Sequence, residues 1–176
     1  MAARTPAFRW ATLALIVLLA GCGRREAPAP RPQPRPPVSL RALPVTSYVA
    51  TSASIDLYNV RAGEFASQRG NARSRDYARH LITDHRGTVA QLSFAGRRLN
   101  LLPSAQIAPP HQAMIDSLAG AGNFDAAFRR QQIEIHASSQ RMHAAFAARG
   151  DSPTLRPVAA NAAAVEARHL DAARRL

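Results

Sequence analysis

Residues 72–98 read "ARSRDYARHLITDHRGTVAQLSFAGRR". Tyr77, Leu81, His85, Val89 and Leu92 recur in this stretch at three- and four-residue spacings, the repeat of one helix face. An imidazole thus stands in the stripe that should enter a core, with the Asp84 carboxylate beside it. Gly70 and Asn71 precede the stretch as a stop and a cap. Before them, "YVATSASIDLYNVRAGEFASQ" predicts another helix, with Ile55, Tyr58, Asn59, Ala62, Phe65 and Ala66 on one side. After it come the connector "LNLLPSAQIAPP" and a short helix, "HQAMIDSLA", ending at Gly120. A further long helix opens at Asn123, carries Phe124, Phe128, Ile135, Met142 and Phe146 inward, and closes at Gly150. Ser152 and Pro153 then prepare a last helix, whose regular part is expected from Pro157. Its seam reads Val158, Ala162, Val165, His169, Ala172, Leu176. Two tight hairpins joined by a longer connection predict an all-α four-helix bundle with a short extra helix.

Counting from the turns brings the odd residues to one level. Asn59 lies 12 residues before Asn71 and His85 lies 14 after it. At 1.5 Å rise per residue, their heights differ by roughly 3 Å. His136 lies 15 residues before Asp151 and His169 lies 18 after it, a mismatch of roughly 4 to 5 Å by the same rise. Each long helix therefore offers one polar side chain near mid-height. Adjacent helical residues point about 100° apart, so Asp84 and His85 cannot both face the axis. Asp84 is expected to orient a histidine on a neighbouring helix.

The chain before residue 45 carries different information. Arg4 and Arg9 precede the apolar run "WATLALIVLLAG", which is shorter than the roughly 20 residues of a membrane-spanning helix and reads as a secretory signal over residues 1–21. It ends in "LAGC", similar to the lipobox of bacterial lipoproteins, which implies cleavage before Cys22 and lipidation of its sulfur. Cys22 is the chain's single cysteine, which excludes a disulfide framework or a thiolate cluster. Gly23 in the next position favours the outer membrane over the inner. Residues 22–44 hold seven of the 13 prolines and five arginines against one glutamate, a polyproline-like tether suited to anionic lipid or envelope polymer. The remaining 45–176 fit one domain with 16 arginines, 10 acids and no lysine. Those arginines are scattered, and an exported basic domain of this kind excludes nucleic acid as a partner. The protein is thus expected to be lipid-anchored and periplasm-facing in a bacterial envelope.

Three segments, "FASQRGNARSRDYARHLITDH", "GNFDAAFRRQQIEIH" and "VEARHLDAARRL", resemble the bacterial domain-of-unknown-function family 4142. The family's motif positions fall on Asp84, His85, Phe124, Asp125, His136, His169 and Leu170. The resemblance implies a ferritin-like bundle in the outer membrane or periplasm, and it implies no reaction. Where the family often carries a glutamate in the first helix, "DLYNV" places Asn59, with Asp56 about one turn away.

Two chemistries fit these residues. His85, His136 and His169, with Asp84 or Asp56, would suit zinc, copper or iron. Alternatively, the chain is a non-catalytic interaction or structural module of the envelope, in which the histidines, Asp84, Asn59 and tyrosine hydroxyls form a buried hydrogen-bond network that fixes the bundle's register. A third reading is a pH-responsive or ligand site, with the clustered histidines titrating near pH 6 and sensing envelope stress. Di-iron chemistry needs four carboxylates and two Glu-x-x-His motifs, whereas only Glu166 and His169 have that spacing here. No nucleophile elbow or phosphate loop occurs, so nothing supports an enzyme. Of the other histidines, His80 is expected to pair with Asp84 one turn on, His111 to be exposed, and His143 to extend the cluster or face solvent.

Overall fold

The computed structural model describes residues 42–176. The signal segment, Cys22 and nearly all of the tether lie outside them. Among the described residues all regular structure is helical: α1 Val45–Arg69, α2 Ala72–Arg97, α3 Pro109–Ala119, α4 Phe124–Arg149 and α5 Arg156–Ala173. No helix among them is long and apolar enough to cross a membrane.

Local chemistry sets the boundaries. The Asn71 side chain accepts from the Ser74 amide at 3.0 Å, and that of Asn123 accepts from the Ala126 amide at 3.1 Å. Each satisfies a donor that a helix start leaves without a partner. At the far end of α2 the chain folds back so closely that a Cβ on Gly96 would lie 2.1 Å from the Leu101 carbonyl oxygen. The short helix starts at Pro109, two residues earlier than expected, because Pro109 and Pro110 fall in the first turn, where a missing N–H costs nothing. The same reason lets α5 start at Arg156, with Pro157 in its first turn.

Helices α1 and α2 form one hairpin and α4 and α5 the other. Between the hairpins, α1 packs on α4 and α2 on α5, while α3 covers α1 and α4. Asp125, at the start of α4, accepts from the Asn71 amide at 3.0 Å and the Ser74 hydroxyl at 2.6 Å. The α1–α2 turn and the start of α4 therefore share one end, so the connection from α2 to α4 must run the bundle's length. Arg69 holds that connection by donating to the carbonyls of Ala119 at 2.6 Å and Ala121 at 3.1 Å. This is the ferritin-like arrangement with one long crossover.

The core has two apolar parts. One is built around Tyr58, Leu81, Leu118 and Phe128, the other around Tyr48, Leu92, Phe146 and Leu155. Between them on α2, α4 and α5 lie His85, Thr88, His136, Ser139, His143, Glu166 and His169, all buried. Burying a large apolar side chain is worth about 1.5–3 kcal/mol, and the two parts hold this polar layer away from water.

Candidate metal centre

Helix α1 brings the first carboxylate. Asp56 is 3 % exposed and one of its oxygens meets His85 Nδ1 at 2.8 Å, while the Thr88 hydroxyl donates to the same oxygen at 2.6 Å. With Nδ1–H directed at Asp56, the free nitrogen of His85 is Nε2. That atom is buried and has no hydrogen-bond partner among the described residues. A carboxylate behind one ring nitrogen and a free lone pair on the other is how metal-binding histidines are commonly held.

Helices α4 and α5 bring the second carboxylate. Glu166 Oε2 lies 2.5 Å from His136 Nδ1, and His136 Nε2 lies 3.0 Å from Gln132 Oε1. Donor atoms of His85, His136 and Glu166 fall within 4.8 Å of one another. His169 completes a triangle of rings: its centroid is 5.3 Å from those of both His85 and His136, which are 5.5 Å apart. His169 Nε2 approaches Asp84 Oδ2 at 3.1 Å without the alignment of a hydrogen bond. Deeper in the bundle, His143 Nε2 lies 3.7 Å from Glu166 Oε1, and its Nδ1 is 2.9 Å from the Tyr48 hydroxyl.

The charges follow from these contacts. Burial opposes protonation of His85, but the Asp56 hydrogen bond and the Glu166, Asp56 and Asp84 carboxylates outweigh it and raise its pKa. Burial likewise opposes ionisation of Glu166, yet the His136 hydrogen bond and the facing histidines bring its pKa down to about 2. His136 and His143 are held neutral chiefly by burial. His169 is lowered to about 4 by burial and by His85 and His136. Two carboxylates, Asp56 and Glu166, are thus buried against this cluster of imidazoles. Such a site favours a cation, because an uncompensated buried charge is costly.

Of the residues singled out in the sequence, the structure brings His85, His136, Glu166, His169, Asp56 and Asp84 into one connected layer. The closest set of donors differs from the expected three imidazoles: Glu166 takes the third place, and His169 turns toward Asp84. The buried face of α5 runs through Ala159, Ala162, Val165, Glu166, His169 and Ala173, so Ala162, Val165 and His169 of the expected seam are buried while Val158, Ala172 and Leu176 are only partly so. Asn59 is fully buried, and neither atom of its amide has a hydrogen-bond partner among the described residues. His80 is exposed. His111 is only half-buried and meets the Ser54 hydroxyl at 2.6 Å, a correction to the exposed position expected of it. His143, left open by the sequence, is 1 % exposed. Its seven-residue spacing from His136, two helical turns, was the signal that could have placed it inside.

Two solved structures resemble the bundle. One is "CopM in the Cu(II)-bound form", with a TM-score of 0.64 and 18 % identity over 76 % of this chain and 95 % of that one. The other is "CopM in the Cu(I)-bound form", with a TM-score of 0.64 and 16 % identity over 76 % and 94 %. No curated protein matches the sequence. The model of one family, described as "Domain of unknown function (DUF4142)", matches residues 29–176. The chain belongs to that family.

Proposed function

We propose that this protein is a bacterial envelope lipoprotein, anchored through Cys22, whose bundle core binds one transition-metal ion. His85 Nε2, His136 and Glu166 would be its ligands, with Asp56 orienting His85. The observation that carries this reading is the gathering of one donor atom each from His85, His136 and Glu166 within 4.8 Å of one another, with the buried Nε2 of His85 left without a hydrogen-bond partner. Two imidazoles and a carboxylate offer borderline nitrogen and hard oxygen, and such sites bind Cu(II) most tightly among the common divalent ions. The copper-bound forms of CopM support copper as the first ion to try. The signal segment, the lipobox-like "LAGC" and the arginine-rich tether support the envelope and the membrane anchor.

A second reading has its own observation. The Asp56–His85, Glu166–His136 and Tyr48–His143 contacts already satisfy much of the layer, as a purely structural network would. Thermal melts with added Cu(II) separate the two. Ligands to one ion give non-additive effects: His85→Ala and His136→Ala should each abolish the copper-induced rise in Tm, and the double variant should lose no more. If each single variant keeps the full rise, the histidines are architecture and the metal reading fails.

A further inference from the structure

Between α2 and α5 lies a cavity of about 420 Å³, open to solvent, whose wall includes His80, Asp84, Arg168 and His169. His169 belongs to two places at once. It lines this cavity, and its ring also packs 5.3 Å from the rings of both His85 and His136. The inner donors have no comparable opening: His85 and His136 are fully buried and Glu166 is 1 % exposed. At the cavity floor, Asp84 Oδ2 and His169 Nε2 stand 3.1 Å apart without a hydrogen bond closing between them. His169 itself is 4 % exposed.

We propose that Asp84 and His169 form an outer docking site through which a divalent transition-metal ion passes between solvent and the core. The inference rests on the metal-binding reading above and adds a route to it. A carboxylate oxygen and an imidazole nitrogen facing one another make an oxygen–nitrogen pair that takes a borderline cation. Rotation of the His169 side chain then carries the nitrogen that holds the ion from the cavity toward the other two rings. Arg168 opposes this step. One of its guanidinium nitrogens lies 3.8 Å from Asp84 Oδ2, so an arriving cation must displace it.

A group that touches the ion only in transit changes the barrier from both sides and leaves the resting affinity alone. The experiment is stopped-flow uptake of Cu(II) by the full-length protein, followed by tyrosine emission, with release into excess EDTA and Kd from chelator competition. Asp84→Asn should slow uptake and release together by about tenfold, the size of a lost steering charge, with Kd changing far less than either rate. Arg168→Gln, a change at an exposed position, should speed both, again with little change in Kd. Unchanged rates in both variants overturn the route. So does a weaker Kd carried by release alone, because Asp84 would then hold the ion at rest. If the wild-type protein binds no Cu(II), the core reading and the route fall together. Binding by the wild type with unaltered rates in both variants removes the route only.

Discussion

His169 shows how one side chain can report on the whole layer. Burial, His85 and His136 hold its pKa at about 4, below the ordinary value of 6.5, while Asp84 and Glu166 pull the other way. The unfolded chain therefore binds a proton between pH 6.5 and 4 that the folded one refuses, and stability falls as pH drops through that window. His136 and His143, also lowered, act with the same sign. Glu166 adds a loss at lower pH, between its unfolded value and about 2, whereas the raised His85 favours the fold at acid pH and loses that contribution as pH rises. For the chelator-treated protein, urea unfolding should show a drop of roughly a few kcal/mol from pH 6.5 to 4, shared between His169 and the histidines coupled to it. His169→Gln should flatten that slope; an equal slope in the variant would place the titration elsewhere. The sequence made His85 and His169 visible because each interrupts an apolar stripe, and His136 because it lies beside one at the same height. It left Glu166 only a supporting place, through its spacing from His169, because a glutamate beside the seam looks like a solvated residue. Asp56 was undervalued although it lies three residues before Asn59, on the same helix face.

Between the hairpins, Asp125 ties the α1–α2 turn to the start of α4. It takes hydrogen bonds from the Asn71 amide and the Ser74 hydroxyl at the start of α2, where unpaired N–H groups and the helix dipole favour a carboxylate. Asp125→Ala should cost about 1.5–3 kcal/mol, the range for hydrogen bonds to a charged group, and Asn71→Ala about 1 kcal/mol for a lost cap. Urea midpoints check both; a neutral Asp125→Ala would show that the hairpins need no such tie. The elements were legible because asparagine caps at α2 and α4, glycine stops after α1, α3 and α4, and a 3.6-residue stripe point the same way. The starts of α3 and α5 were less so, since proline is tolerated anywhere in a first turn and marks it only to within a residue or two.

For the whole molecule, the proposed anchor and the proposed metal site are separable. Cys22→Ser should move the protein from the membrane fraction to the soluble fraction on fractionation of cells and leave copper binding unchanged; a variant that stays with the membrane would point to another anchor. The bundle itself was legible from two hairpins and one long connection, and the polar layer from counting residues to each turn. What counting could not supply is which nitrogen of each ring is free, because that depends on the carboxylate behind it, and those carboxylates come from other helices. The most direct measurement is the copper content of the full-length protein after equilibration with Cu(II) and removal of loosely held ions, compared with His85→Ala and Glu166→Gln. The account predicts one copper per wild-type chain and a near-complete loss in both variants. No retained copper in the wild type, or the same amount in all three proteins, would contradict it.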